Sequence, residues 1–456
     1  MQDIRKTRTL CPDCGRELEG RVVVEDGKAY LDRNCPEHGP YRFLLSRHGA
    51  WYADLDRFFF EVLDGGIPKG RITNYWILST AKCQQHCLYC GLEVQKPFYD
   101  EMPIEALREA IEQYGSAKLT FADGEPTLHP QVLQFFREAW AKKVATQLAT
   151  NGVRLASREF CLQLADAHVT EVRISYETLD PKQSVPSGTS AFWESKYAGL
   201  RNLIELGIPT ILSPTIFKGI NEDQLIASLE FARDKPIVRE LSVNGFAWNG
   251  SGLSIDKDLM IMPDEMMDVL FARYFDGDRE AIFTFQKTML AILQIVGIRL
   301  CLYTQLMLFV RDKTGLVPFT RFLNMRRLKQ GITWWERFSK AARFTQAVAL
   351  AWVLFRALDM KSLRLLPTCL RLFAANLFQI AIHRYPSKLL PVVLNTNCST
   401  LSADNMVSAR CMSGCLYVRD GTLHEGLSTS TLLDKEKETR NTGSRPVSDA
   451  SHRRDA

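Results

Sequence analysis

The chain has no phosphate-binding glycine loop of the Walker type and no internal repeat, which excludes P-loop nucleotide hydrolysis and solenoid architectures. It also lacks a secretory signal at its start. Its 12 cysteines are therefore expected to stay reduced in a cytoplasm and to ligate metals rather than pair as disulfides. Net charge is slight, with 57 Lys and Arg against 52 Asp and Glu giving +5. No apolar run reads cleanly as a membrane span. The stretch 288 to 310 contains Gln294, Arg299, Thr304 and Gln305, and a central arginine is costly in hydrocarbon; the stretch 344 to 358 is too short.

What the chain does have is cysteine in clusters. Cys83, Cys87 and Cys90 fall within eight residues, spaced C-x3-C-x2-C, just after a strand-like run at 72 to 79. Three thiolates so placed can hold three corners of a 4Fe–4S cluster and leave one iron open to a small molecule. A structural zinc site would close all four positions, yet the next cysteine is Cys161.

This triplet, with Tyr89 before its last cysteine, resembles the signature of the radical S-adenosylmethionine (SAM) superfamily. The resemblance implies that SAM chelates the open iron and that a cluster electron cleaves its sulfonium. The resulting 5′-deoxyadenosyl radical would abstract hydrogen from a substrate, the cofactor carrying the hard step. It also implies site residues: Tyr89 near the adenine, and Ala122, Asp123, Gly124, Glu125 and Pro126 along the methionyl amino group. Family members usually have two glycines where this chain has Ala122 and Asp123. Thr150 and Asn151, then Ser175 and Glu177, stand at strand ends where relatives contact the SAM ribose or carboxylate. A reductant such as ferredoxin or flavodoxin is the implied partner.

Apolar, β-rich runs at 72 to 79, 118 to 122, 145 to 150, 171 to 176, 209 to 216 and 239 to 246 alternate with helical patterns. The expected class is α/β, with the six units forming a parallel sheet. The family shape is a partial (β/α)6 barrel of the TIM type, whose chemistry lies at the C-terminal strand ends.

Ahead of the barrel, Cys11, Cys14, Cys35 and His38 lie in two knuckle-like turns joined by a hairpin, a tetrahedral set suited to zinc or a mononuclear iron. A lobe of this size has too little core to fold without such a staple. The pairing with a SAM triplet resembles the branch that includes tetraether lipid synthase and the pterin-methylating radical SAM enzymes.

The expected organisation is a metal-binding lobe at 1–70, the partial barrel at 71–280, a basic apolar helical region at 281–394, a cysteine-containing segment at 395–427 and a disordered tail at 428–456. Region 281–394 carries seventeen Lys and Arg against Asp312, Glu336 and Asp359, about +14, so the rest of the chain is negative. Apolar helices with basic rims suit an anionic membrane surface and make a lipid or long-chain substrate the leading expectation; capping the barrel is the other reading, and nucleic acid fits less well. Localisation is expected to be cytoplasmic, with peripheral membrane contact. Cys398, Cys411 and Cys415 are candidate ligands of an auxiliary iron–sulfur cluster, with Cys301 and Cys369 as candidates for the fourth position by elimination. The competing functions are a pterin-type radical methyltransferase and a non-catalytic iron–sulfur scaffold.

Overall fold

A computed structural model describes residues 1–63, 71–91, 99–275, 278–298, 301–302, 304–313, 315–358, 367, 388–396 and 413–427. Strands β1 (Gln2–Leu10), β2 (Glu17–Glu25), β3 (Lys28–Cys35) and β4 (Gly39–Ser46) pair antiparallel as a meander. The β1–β2 and β3–β4 turns share one end of this sheet, which brings Cys11 and Cys14 to Cys35 and His38. Helix α1 (Gly49–Arg57) follows.

The six expected strands are β5 (Asn74–Leu78), β6 (Lys118–Ala122), β7 (Thr146–Thr150), β8 (Glu171–Tyr176), β9 (Thr210–Ile216) and β10 (Val238–Gly245). They lie side by side, all parallel, in chain order. Helices α2 (Ile104–Tyr114), α3 (Val132–Ala141), α4 (Arg158–Asp166), α5 (Trp193–Glu205) and α6 (Asp223–Ala232) make the crossovers. Ile77, Leu119, Phe121, Leu148, Val172, Ile174, Leu212, Leu241 and Val243 join the main core with these helices. Because side chains alternate across a strand, the residues between them face the other way. That inner face is polar: Thr120 donates to Asn74 (2.6 Å), Gln147 to Glu171 (2.6 Å), and Lys118 pairs with Glu171 (2.9 Å).

Beyond β10, helices α7 (Pro263–Tyr274) and α8 (Arg279–Ile295) lead to a hairpin of β11 (Thr304–Asp312) and β12 (Gly315–Pro318). Helices α9 (Met325–Trp335) and α10 (Arg343–Ala357) follow, then β13 (Leu389–Thr396), β14 (Ser413–Arg419) and β15 (Thr422–Leu427). Here the sequence expectation needs correcting: the run 288 to 310 is not one helix, since α8 ends before Gly297, which takes φ +74°, and β11 begins at Thr304. β13 inserts between β10 and β11, and β14 pairs with β5 at the opposite edge, giving an eleven-stranded sheet. The run is apolar on the half-buried as well as the buried positions of β11, as at Leu306 and Leu308, so it looks alike as helix or strand and periodicity could not divide it.

Within the greasy region the described helices α8, α9 and α10 build a second core; residues 359–366 and 368–387 lie outside the described residues. Leu290 of α8, Leu328, Ile332 and Trp335 of α9, and Leu350 and Val353 of α10 pack with Phe58 and Phe59 and with Val22 and Leu31 of the N-terminal sheet. The Trp335 indole N–H donates to the Gln346 carbonyl at 3.0 Å. Among the described residues, no helix is long and apolar enough to cross a membrane.

Candidate functional site

Two constellations stand apart. In the N-terminal lobe, the ligand atoms of Cys11, Cys14, Cys35 and His38 all lie within 4.8 Å of one another. Cys11 Sγ and Cys35 Sγ are 3.7 and 3.5 Å from His38 Nδ1, and Cys14 Sγ is 4.0 Å from Cys35 Sγ. Two thiolates bound to one zinc at about 2.3 Å and a tetrahedral angle sit roughly 3.8 Å apart, so this donor set fits the ion. Burial raises the Cys11 thiol. Burial would raise Cys35 too, but hydrogen bonds from His38 and from the backbone of Glu37 and His38 outweigh it and lower that thiol.

The second constellation is the loop that follows β5. It is tied to the ends of four other strands. The Glu125 amide after β6 donates to the Lys82 carbonyl (2.7 Å), Leu88 N–H donates to Ser187 O (3.0 Å) in the loop after β8, and Ser251 N–H, after β10, donates to Cys90 O (2.9 Å). After β7, the Asn151 side chain reaches Cys83 Sγ (3.7 Å) and the Gln84 amide (3.3 Å). The three thiols are half-buried, and burial pushes Cys87 up to about 12 and raises Cys83 as well. Such thiols stay neutral alone, and iron would supply the missing positive charge. Three cysteines on one loop braced by the ends of four strands supply the three thiolates that such a cluster takes from the protein.

The turn after β6, where the motif is altered, takes a backbone shape that glycine favours. Asp123 and Gly124 both have left-handed backbones, at φ +66° and +51°. Asp is among the side chains that tolerate that region. Gly124 has no alternative, because a Cβ there would come within 2.2 Å of Thr80 O and 2.7 Å of Lys82 O. Beside it, Glu125 is fully buried and accepts four hydrogen bonds: from Thr127 N (3.1 Å), Thr127 Oγ1 (2.6 Å), Thr150 Oγ1 (2.7 Å) and Asn151 N (2.7 Å). Burial still raises its carboxyl above the ordinary range, against those hydrogen bonds. Ala122 and Pro126, on either side of this turn, are buried.

The expected residues on β8 have partners of their own. Ser175 Oγ donates to Thr150 O (3.2 Å). Glu177 accepts from the Tyr89 hydroxyl and from Thr189 Oγ1 (3.0 Å), and pairs with Lys196 Nζ at 3.1 Å. Tyr89 also sets its ring edge on Phe217 (centroids 5.5 Å apart), and burial followed by the Glu177 charge raises its phenol. Sequence reasoning missed Lys196, Thr189 and Gln84. Lys196 had a signal: it lies on the apolar stripe of α5 with Gly199, Leu200 and Leu203, where a charge demands a partner.

Of the auxiliary-cluster candidates, Cys398, Cys411 and Cys369 lie outside the described residues. Cys415 is buried on β14 against Leu78 and Tyr99, and Cys301 packs at the margin of the second core.

Residues 77–232 match the radical SAM superfamily, and residues 3–47 match the HMPTM N-terminal zinc ribbon domain. The chain is 23% identical over 276 residues to 7,8-dihydro-6-hydroxymethylpterin dimethyltransferase of Methanocaldococcus jannaschii, covering 54% of each chain. It is 26% identical over 214 residues to GTP 3′,8-cyclase of Helicobacter pylori, covering 45% of this chain and 64% of that one. The chain thus spans about half to two thirds of the length of these relatives. Streptococcus suis SuiB bound to its precursor peptide SuiA aligns with a TM-score of 0.38 at 14% identity, over 58% of this chain and 69% of that one. The radical SAM match implies a 4Fe–4S cluster and SAM as cofactors, and the zinc ribbon a metal in the lobe. Motif, parallel sheet and family match agree that residues 77–232 form a radical SAM domain, preceded at residues 3–47 by a zinc ribbon.

Proposed function

We propose that the chain is a radical SAM enzyme acting on a polar heterocycle of the pterin class. Cys83, Cys87 and Cys90 would hold the cluster. When bound, the cluster and SAM supply a 5′-deoxyadenosyl radical able to abstract hydrogen from an unactivated C–H bond. The protein's part is to bind and orient. Asp123 and Gly124 offer main-chain groups at the methionyl end, Glu125 locks the β6 and β7 loops together, and Thr150, Asn151, Ser175 and Glu177 line the open strand ends with Tyr89. Electrons would come from a ferredoxin or flavodoxin.

The observation that carries the substrate class is the inner face of the sheet. It presents Asn74, Thr120, Gln147, Glu171, Ser213 and Asn244, with the Arg173–Glu240 pair at 3.7 Å. A hydrocarbon chain laid on that face would strip water from these paired polar groups and return no hydrogen bond of its own, whereas a polar heterocycle can supply one. The pterin dimethyltransferase among the relatives supports the same class.

Anaerobic reconstitution with iron and sulfide, then reductant and SAM, should release 5′-deoxyadenosine. Adding a 6-hydroxymethylpterin should give a modified pterin. Cys83→Ala, Cys87→Ala and Cys90→Ala should each abolish both. Wild-type protein that binds a cluster yet releases no 5′-deoxyadenosine would leave the scaffold reading in its place.

One observation favours a lipid surface as a second reading. Helix α10 exposes Phe344, Val348, Trp352 and Phe355 as a stripe, with Phe344 80% exposed, and Arg337, Lys340, Arg343 and Arg356 lie near it in the chain. Flotation with anionic vesicles tests it: binding lost in Phe344→Ser/Trp352→Ser supports the reading, and wild-type protein that stays unbound ends it.

A further inference from the structure

We infer that the middle of β9, the C-terminal ends of β10 and β13 and the start of the antiparallel β11 form a neutral row of amides and hydroxyls that reads the oxo- and amino-bearing edge of a pteridine ring. This rests on the heterocycle reading above and assigns the groups that would recognise that substrate.

The row follows from register. Asn244 stands opposite Asn395 on the parallel pair β10–β13, and Asn395 stands opposite Thr304 on the antiparallel pair β13–β11. Directly opposed side chains share a face. Val243 and Leu394, one residue earlier on each strand, are fully buried in the outer core, so Asn244 and Asn395 turn to the inner face, where each is half-buried.

Hydrogen bonds then orient the amides. Ser213 Oγ donates its proton to Ser242 O (3.1 Å) and so meets Asn244 Nδ2 (3.0 Å) as an acceptor. Thr304 Oγ1 donates to Asn395 Oδ1 (3.0 Å). These contacts use Asn244 Nδ2 and Asn395 Oδ1. One acceptor, Asn244 Oδ1, therefore stands beside one donor, Asn395 Nδ2, on strands that neighbour each other at roughly 4.8 Å. A pterin edge offers the converse pair, with N–H groups on one side and a carbonyl oxygen on the other.

The row is also at the correct end of the sheet. The loop leaving β10 returns to the cysteine triplet, where Gly250 lies so close that a Cβ would sit 2.4 Å from Cys90 O. The charged pairs of the inner face, Lys118–Glu171 and Arg173–Glu240, involve residues nearer the starts of their strands. A neutral edge near the triplet suits an uncharged ring.

The experiment is a fluorescence titration of the reconstituted full chain with 6-hydroxymethylpterin and with a pteridine lacking the 2-amino and 4-oxo groups. A site built to hydrogen-bond an edge rejects the analogue without it, so wild type should prefer the pterin by about a hundredfold or more. Asn244→Ala and Asn395→Ala should each cut that preference about tenfold, with Asn244→Ser and Asn395→Ser, which disturb packing less, doing the same. Variants that keep the wild-type preference overturn the inference and leave the substrate class standing. Alanine and serine variants that weaken both compounds equally reassign the residues to folding and overturn it too. If wild type releases 5′-deoxyadenosine but binds neither compound, the heterocycle reading falls and takes the row with it.

Discussion

Glu125→Gln isolates the clasp between the β6 and β7 loops with little change in size. The carboxylate presents two acceptor oxygens, one taking three donors and the other taking Asn151 N–H at 2.7 Å. A glutamine has one acceptor and one NH2. Whichever way the amide turns, at least one buried donor faces another. Losing a hydrogen bond to a charged group and stranding a buried donor together destabilise by about 2–4 kcal/mol. In a domain of this size that lowers the midpoint of thermal unfolding by roughly 4–16 °C. Thr150→Ala removes the partner hydroxyl 2.7 Å from Oε1, and a double-mutant cycle with Glu125→Gln should give a coupling of about 1–2 kcal/mol. Urea melts of the reconstituted protein, followed by circular dichroism and by cluster absorbance, measure both. Unfolding of Glu125→Gln within about 0.5 kcal/mol of wild type would refute the account of this clasp.

Lys196→Met leaves Glu177 charged in a buried site and should destabilise by about 3–5 kcal/mol in denaturant melts, while Lys196→Met/Glu177→Gln should recover most of the loss. A strong chelator should release one metal from the lobe and unfold β1–β4, read as loss of near-ultraviolet dichroism; Cys35→Ser should show the same without chelator. Burial holds His129 below its ordinary value of 6.5, and its Nδ1 accepts from Gln131 N at 3.1 Å. Its contribution to stability is therefore full above pH ~6.5 and declines as the pH falls toward the depressed folded value, and His129→Gln should flatten that part of the stability–pH curve.

The parallel strands could be read because each declares itself locally. Apolar runs of five to eight residues alternate with amphipathic helices, and β6 at Lys118–Ala122 and β8 at Glu171–Tyr176 fall where periodicity puts them. The two cysteine groups could be read because their ligands are close in sequence and the chemistry dictates the spacing.

Partners remote in the chain left no such trace. Lys196 meets Glu177 across a loop, Asn395 lies some 150 residues beyond Asn244, and β13 enters the sheet beside a strand that its own sequence does not specify. The apolar run 288 to 310 was misread because apolar residues fill its half-buried positions as well as its buried ones, which erases the period that separates helix from strand. Sequence alone thus determined which short segments would fold and which thiols would gather. Tertiary structure alone decided which edges meet and which polar side chains line the inner face, because those depend on pairings that local composition does not encode.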